Sequence, residues 1–204
     1  MAYKRASDNI FIEGTIRKVA EIGIENTRTK DVADYAGFSE ATMYRRFPTK
    51  EILLRDTFLC VDKQVSSILT QSAYIRNPGD TPFELAIYAI WHDVFRYLIN
   101  HKEETIFLIR YRYSSLYTEE VRSKRQAYNG GLDKAYVLFE KQFGSSDQSY
   151  RGFLISYIFE TTLCFAEKII TGKLKDNQDI EQRIWSAISG TVNAWTSQHN
   201  GGDP

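Results

Sequence analysis

The chain is poor in residues that interrupt helices and in residues that form cross-links. Its 204 residues include four prolines, 12 glycines and two cysteines, Cys60 and Cys164. Proline and glycine disfavour helical backbone more than any other residues, so their scarcity favours helix. Two cysteines without a C-x-x-C pair provide neither a disulfide framework nor a zinc site, which favours a reducing cytoplasm. We therefore expect a helical, cytoplasmic protein that binds no metal.

The sequence also lacks an excess of either charge and any long apolar run. Its 26 basic and 26 acidic residues give a formal net charge of zero. This balance argues against a polycation that coats nucleic acid, but it allows a small basic surface at one end. The most apolar stretch, residues 153–166, is interrupted by Ser156, Glu160 and Thr161. It is too short and too polar to cross a bilayer, so we expect no contact with a membrane.

Local catalytic motifs are missing as well. The three histidines, His92, His101 and His199, lie far apart. The chain contains no His-Glu-x-x-His, no Gly-x-Ser-x-Gly and no phosphate-binding loop. We expect no enzyme and no cofactor. Two alternatives stay open at this stage: an enzyme that uses a helical cavity, and a helical interaction module that does not bind DNA.

Capping residues and apolar periodicity predict an all-α protein. No segment shows the sustained two-residue alternation of a strand. The 13 tyrosines and 12 phenylalanines require a large core, a pocket or an interface. The predicted helices span about residues 8–22, 30–36, 40–47, 49–68, 82–100, 102–113, 119–143, 148–171 and 179–198. We expect a turn at residues 77–80, a kink or break at Gly130 and Gly131, and a loop at residues 144–147.

Residues 29–50 carry the most informative pattern. Ala33 provides the small residue that two crossing helices need, and Gly37 tolerates the positive φ of a tight turn. The inner faces of the two helices are apolar, with Val32, Ala36, Phe38, Met43 and Phe47. Together these features predict a helix-turn-helix.

The order and spacing of this segment resemble the signature of the tetracycline-repressor (TetR) family of transcriptional regulators. The residues that carry the resemblance are Ala33, Gly37, Ser39, Thr42, Tyr44, Phe47, Pro48 and Lys50. The resemblance covers about the first quarter of the chain. It implies an N-terminal three-helix DNA-binding domain at residues 1–48 and a larger helical ligand-binding and dimerisation domain at residues 49–204. The implied function is a ligand-responsive repressor that binds a palindromic operator. The many aromatic residues of the larger domain predict that a small apolar or aromatic molecule releases the DNA.

The geometry of the third helix assigns roles to its side chains. At about 100° per residue, Met43 and Phe47 share one face, which we expect to be buried. Arg45 lies opposite that face with Ala41 beside it, so both point towards the major groove. Tyr44 and Arg46 flank this line on its two sides and face the phosphates. Arginine reads guanine through O6 and N7.

The resemblance implies further contacts with double-stranded DNA. It assigns phosphate contacts to Thr29, Thr42, Tyr44, Arg46 and Lys50, and groove-facing positions to Lys30, Ala41 and Arg45. Ser39 adds a helix start, where backbone N–H groups bind phosphate. The Arg45-Arg46 pair departs from many relatives, so either arginine is a candidate for a phosphate contact. Glu40 has two interpretations, an acceptor for a cytosine amino group or a favourable charge at the helix start.

The last two helices suggest a homodimer. The helix from Gln148 is apolar nearly all round, so its own domain covers only part of it. The last helix carries a stripe of small residues that allows another helix to approach closely. The expected interface residues are Phe159, Phe165, Ala187, Gly190 and Ala194. The alternative is that both helices are ordinary core.

Aromatic residues further along the chain suggest a pocket for a small-molecule effector. Ligand sites combine aromatic walls with a few polar groups. The candidate lining residues are Tyr88, Trp91, His92, Phe95, Tyr111, Tyr128 and Phe153. Core packing is the alternative for each aromatic side chain. Arg110 and Arg112 are candidates either for an anionic ligand or for pairing with nearby glutamates.

Overall fold

The computed structural model describes residues 8–72, 81–128 and 148–200, and within them the side chains of 8–72, 81–125 and 152–194. In these residues every regular element is an α-helix, which confirms the all-α expectation. The helices are α1 (Asp8–Ile22), α2 (Thr29–Ala36), α3 (Glu40–Tyr44), α4 (Lys50–Gln71), α5 (Phe83–Asn100), α6 (Lys102–Arg112), α7 (Glu119–Tyr128), α8 (Gln148–Ile170) and α9 (Gln178–Asn200). None of the described helices is long and apolar enough to cross a membrane.

The turns around α3 form as their residue types require. Gly37 ends α2 in the left-handed region, with φ of 72°, which glycine adopts without a steric cost. Ser39 caps α3, since its Oγ accepts from the backbone N of Thr42 at 3.3 Å. Thr49 Oγ1 accepts from the backbone N of Ile52 at 3.2 Å and caps α4 in the same way.

Two predictions about these helix ends are wrong. Helix α3 ends at Tyr44 instead of Phe47, because the backbone N of Arg46 bonds to Met43 O, three residues back, and the chain turns. Thr29, the residue before the predicted helix 30–36, is instead the first residue of α2, and the cap position belongs to Arg28, whose side chain makes no capping bond. The predicted turn at 77–80, the glycine pair and the loop at 144–147 lie outside the described residues.

The chain divides into two compact units. The first contains Met1–Gln64 and His101–Tyr128, and the second contains Val65–Asn100 and Asn129–Pro204. The expected domain boundary after residue 48 stays a prediction.

In the first unit, α1, α2 and α3 enclose a small core. Its members are Phe11, Val32, Ala36, Met43, Phe47 and Leu53. The phenylalanine rings of Phe11 and Phe47 meet edge to face, with centroids 6.3 Å apart. Helix α1 also packs against α6. In the same unit, Phe58 of α4 stacks on Tyr111 of α6 with 4.5 Å between ring centroids.

In the second unit, α5 packs on α8, and α8 on α9. Trp91 stacks on the buried Phe95 with ring centroids 4.8 Å apart. The indole Nε1 of Trp91 donates to Thr162 Oγ1 at 3.0 Å. This bond satisfies the polar atom of a buried tryptophan and fixes its ring between α5 and α8.

Candidate nucleic-acid interface and cavity

Helix α3 has one buried side, and the rest of its surface is open to solvent. Met43 is fully buried and Phe47 is 5% exposed. Ala41, Tyr44, Arg45 and the adjoining Arg46 are exposed. An exposed tyrosine beside two exposed arginines, anchored by two buried apolar side chains, suits contact with a polyanion.

A close approach between α1 and α2 positions this surface. A Cβ added to Gly14 would lie 2.8 Å from Cδ1 of Tyr35 and 3.4 Å from the carbonyl O of Val32. Tyr35 Oη also donates to Glu13 Oε1 at 2.9 Å. Glycine is therefore required at the crossing with α1, while Ala33, the predicted small residue, is buried in α2. Sequence reasoning missed Gly14, because a single glycine within a helical pattern does not indicate what it faces.

Three side chains meet between the starts of α2 and α3. Thr29 Oγ1 donates to Glu40 Oε1 at 2.6 Å. The same Thr29 oxygen lies 3.0 Å from Tyr44 Oη. The structure thus brings together Thr29 and Tyr44, two expected phosphate contacts. It adds the carboxylate of Glu40, for which the sequence allowed two interpretations.

A second group of polar side chains lies along α3. Ser39 Oγ and Thr42 Oγ1 are 3.0 Å apart. Arg45 Nη2 donates to Thr42 Oγ1 at 3.1 Å. The bond to Thr42 holds the guanidinium of Arg45, the residue that follows α3, beside that helix. Lys30 is exposed at the second position of α2.

The remaining two cations expected to bind phosphate are held by partners that the sequence did not indicate. Arg46 Nη1 donates to Asp8 Oδ1 at the start of α1. Lys50 Nζ donates to the carbonyl O of Ile24 at 3.0 Å. An ammonium has three donors and a guanidinium five, so each cation keeps donors for a further acceptor.

Arg110 of α6 binds the end of α1. Its Nη1 donates to the carbonyl oxygens of Val19 and Ala20, the latter at 3.2 Å. The last carbonyls of a helix carry partial negative charge and lack intrahelical partners. Arg110 therefore holds α1 and was wrongly considered for an anionic ligand or a glutamate partner. No local pattern indicates this pairing, because the two partners lie 90 residues apart in the chain.

The second unit contains an apolar cavity of about 110 Å³. Its lining residues come from α4, α5, α8 and α9. They are Leu69, Ile87, Ile90, Trp91, Val94, Ile155, Ile158, Phe159, Thr162 and Trp185. Beside it lies a second cavity of about 120 Å³, which shares Ile87, Ile158 and Trp185 with the first. Among the described residues, no group of three histidine, cysteine or acidic side chains is arranged to hold a metal.

Of the predicted pocket residues, Trp91 lines the cavity, and Phe95 lies behind it. Tyr88 packs against Trp185, with ring centroids 5.5 Å apart, and lies 5.9 Å from the ring of His92. Tyr111 lies in the first unit, within its aromatic stack, and is not a lining residue of this cavity. Phe153 is an exposed residue of α8. The side chain of Tyr128 lies outside the described residues.

A polar cluster adjoins these aromatic rings. Glu181 Oε1 accepts from Tyr88 Oη at 3.3 Å and lies 3.4 Å from His92 Nε2. Arg96 Nη1 is 3.8 Å from Glu181 Oε2. Burial, and then the neighbouring Glu181 carboxylate, raise the pKa of Tyr88, so its hydroxyl stays protonated and acts as a donor. Sequence reasoning did not identify Glu181, which lies on α9, 93 residues from Tyr88.

The predicted interface residues have different environments. Ala187, Gly190 and Ala194 of α9 are exposed, and a Cβ added to Gly190 would meet nothing within 4 Å. Phe165 is half-buried, with Lys168 Nζ 5.0 Å from its ring centroid. Phe159 is also half-buried and lines the cavity.

Residues 11–57 match the family model described as bacterial regulatory proteins of the tetR family. The chain is also similar to a solved TetR-family regulator from Marinobacter aquaeolei VT8. That match has 21% identity and a TM-score of 0.73, and it covers 89% of this chain and 92% of the other. A putative TetR-family regulator from Shewanella sp. PV-4 matches with 18% identity and a TM-score of 0.73, over 90% and 96% of the two chains.

A further similar structure is the transcriptional regulator FadR from Bacillus subtilis, solved in complex with stearoyl-CoA. It has 16% identity and a TM-score of 0.68, with 89% of this chain and 97% of that chain covered. No curated protein matches the chain. At these identities the structural matches show a shared fold.

Proposed function

We propose that this chain, whose residues 11–57 match the model of the tetR family of bacterial regulatory proteins, is a ligand-responsive repressor. It binds a palindromic operator as a homodimer and leaves it when a small molecule binds. The observation that carries the proposal is the exposed surface formed by α3 and the turn after it. There Tyr44, Arg45 and Arg46 are exposed, while Met43 and Phe47 are buried and anchor the segment.

The side chains of this face divide into base contacts and phosphate contacts. Arg45 lies on the groove-facing side with Ala41 and reads a base edge. Thr29, Thr42, Tyr44, Arg46 and Lys50 bind the backbone, and Lys30 and Ser39 lie beside them. Phosphate contacts fix the register of the protein on the duplex and base contacts select the sequence. The chain as a whole is neutral, so this local surface supplies the attraction.

A random pool of duplex DNA tests this division. Selection with the wild-type protein yields a palindrome, and Arg45→Ala then relaxes the preference at one base pair per half-site. The expected loss is about 1–3 kcal/mol per half-site. Arg46→Ala weakens binding to all sequences without changing the preferred base. The opposite result for the two variants reverses the assignment.

Salt dependence tests the phosphate contacts separately. If a dimer neutralises about eight to ten phosphates, log K falls against log salt with a slope of roughly −7 to −9. A slope near zero contradicts the proposal. Lys50→Ala is an imperfect probe here, because Lys50 also holds the Ile24 carbonyl; its stability must be measured beside its affinity.

Two-fold symmetry of the operator requires two copies of the chain. The exposed small residues Ala187, Gly190 and Ala194 of α9 let a second helix approach closely, and Phe165 of α8 adds apolar area. We place the dimer interface on α8 and α9.

The cavity in the second unit accepts the apolar part of an effector. Among the described lining residues, Thr162 is the one with a hydroxyl, which donates to Ile158 O at 2.6 Å and accepts from Trp91 Nε1. None of the lining residues that the structure describes carries a charge. A volume of about 110 Å³ is below the roughly 300 Å³ of a typical ligand pocket and near the roughly 150 Å³ that holds benzene. An alkyl chain or an aromatic ring fits this environment.

Stearoyl-CoA, the molecule held by the Bacillus subtilis protein, and benzene are the two probes. Binding of either changes the fluorescence of Trp91 and Trp185, which line the cavity. Val94→Phe fills the cavity and lowers the affinity at least tenfold, whereas Leu85→Phe, at an exposed site of the same helix, leaves it unchanged. Equal affinities in both variants place the effector elsewhere.

The allosteric part of the proposal has its own test. An effector that weakens operator binding about 100-fold needs about 2.7 kcal/mol of coupling, and the operator must weaken effector binding by the same factor. Helix α4 belongs to both units and is the proposed path of the coupling. Titrations of a confirmed effector with and without operator measure this factor, and equal affinities contradict the allosteric role.

A further inference from the structure

Two hydroxyls proposed to bind the DNA backbone are already joined to a carboxylate. Thr29 Oγ1 donates to Glu40 Oε1 at 2.6 Å, and Tyr44 Oη lies 3.0 Å from Thr29 Oγ1. A hydroxyl has one hydrogen to donate. Since the hydrogen of Thr29 lies on Glu40, Tyr44 is the donor in the second bond. The bonds therefore run from Tyr44 through Thr29 to the carboxylate of Glu40.

In the free protein, the Glu40 carboxylate is the acceptor at the end of this hydrogen-bond chain. In a complex with DNA, a phosphate would take that place. Both groups are negatively charged acceptors, and a charged acceptor forms the stronger hydrogen bond. A phosphate that takes the hydrogen of Thr29 must displace Glu40 and then lie close to its charge. Binding to DNA is therefore opposed by Glu40 unless the carboxylate finds another donor.

The DNA bases differ in whether they offer that donor. Glu40 is the first residue of α3, and Arg45 directly follows the last residue of that helix. In the major groove, cytosine presents its N4 amino group and is the base that glutamate pairs with; adenine presents an N6 amino group beside the acceptor N7, which repels a carboxylate, and guanine and thymine present acceptor oxygens. A carboxylate has acceptors only. Cytosine thus compensates the displaced carboxylate, while guanine or thymine at the same position adds repulsion.

We infer that Glu40 is a specificity-determining residue that acts mainly by exclusion. It opposes the phosphate contacts of Thr29 and Tyr44 on every sequence, and a half-site with a cytosine amino group in reach of Glu40 offsets this opposition best. The inference rests on the proposed operator binding and adds a second position of sequence selection to that of Arg45.

Asp8 supplies a matched control. Its carboxylate accepts from Arg46, another proposed phosphate contact, but Asp8 lies on α1 and not on α3. Removing the charge of Asp8 therefore frees Arg46 to bind a phosphate, and it alters no residue of α3. Asp8→Asn and Glu40→Gln change one carboxylate each into an amide of nearly the same shape.

The experiment selects duplexes from a random pool with the wild type and both variants, and measures each affinity for a scrambled duplex. One unit charge about 4 Å from another contributes about 1 kcal/mol in water, or about fivefold per subunit. We expect both variants to bind the scrambled duplex about tenfold more tightly or better. Glu40→Gln loses the cytosine preference at one position per half-site, and Asp8→Asn keeps every base preference of the wild type.

Unchanged base preferences in Glu40→Gln overturn the inference, whatever happens to the overall affinity. So does the loss of the same preference in Asp8→Asn. Failure of the proposed function is a different result, because the wild type then selects no sequence and shows no salt-dependent binding. Thermal unfolding of the three proteins verifies that all are folded.

Discussion

Arg125 holds the carboxylate of Asp62 from the neighbouring helix. Its Nε lies 2.8 Å from Oδ1 and 2.7 Å from Oδ2. Asp62 lies on α4 and is only 1% exposed, whereas Arg125 lies on α7. A carboxylate this deeply buried needs a compensating charge. The pair therefore ties α7 to the helix that follows the candidate DNA-binding surface.

We predict that Arg125→Ala lowers the free energy of unfolding by about 3 kcal/mol, because it leaves a buried charge without its guanidinium. Arg122→Ala is the control. Arg122 lies on the same helix and forms an exposed pair with Glu119 at 3.2 Å; such pairs contribute less than about 1 kcal/mol. Urea denaturation measures both. Equal losses in the two variants would show that Asp62 does not depend on Arg125.

The contact of Gly14 with Tyr35 predicts a second stability effect. Gly14→Ala places a methyl group 2.8 Å from the Tyr35 ring, and overpacking of this kind costs about 1–3 kcal/mol. The α1–α2 crossing shifts, so DNA affinity falls together with stability. Adding Tyr35→Ala to this variant removes the clash and recovers part of the loss. If Gly14→Ala is as stable as the wild type, the crossing is looser than the structure indicates.

Tyr111 predicts a loss of stability at high pH. Burial raises the pKa of this phenol from its ordinary 10.0 to about 12. The unfolded chain therefore releases the proton first. Stability is unaffected below pH 10 and falls between about pH 10 and 12, by up to about 1.4 kcal/mol per pH unit.

Tyr111→Phe tests this prediction. It removes a bond to the carbonyl of Leu116 at 3.2 Å, at a cost of about 1 kcal/mol near pH 7. The stability curve of the variant is then flatter between pH 10 and 12. Tyr113→Phe, at a residue 72% exposed, keeps the slope of the wild type. A Tyr111→Phe curve as steep as that of the wild type means that other groups cause the alkaline loss.

Substitutions at the exposed Gly190 test how side-chain size affects the proposed dimer interface. Gly190→Arg introduces a long charged side chain between the helices, so the protein becomes monomeric and loses its operator affinity. Gly190→Ala is the conservative control. A Cβ here meets nothing within 4 Å, and alanine in a helix is about 0.5–1 kcal/mol more favourable than glycine. Light scattering at micromolar concentration measures both masses; a monomeric wild type rules out the proposed dimer.

The sequence predicted the local structure of the first unit well. Gly37 in the turn, Ser39 at the cap, and Met43 and Phe47 on the buried side each depend on residues within a few positions of one another. Glycine tolerates positive φ wherever it stands, and a serine bonds to the backbone three residues ahead. The family resemblance rests on these same residues, so it was available before the fold.

Tertiary structure decided which side chains meet across the chain. Arg46 lies against Asp8, 38 residues away, and Thr29 donates to Glu40 instead of capping its own helix. Tyr111, expected in a pocket with Trp91, lies in the other compact unit. An aromatic side chain on a helix can be buried in a core, in a cavity wall or in an interface, and the sequence pattern is the same in all three cases. Periodicity determines which side of a helix is apolar, but only the packing of distant helices determines what that side contacts.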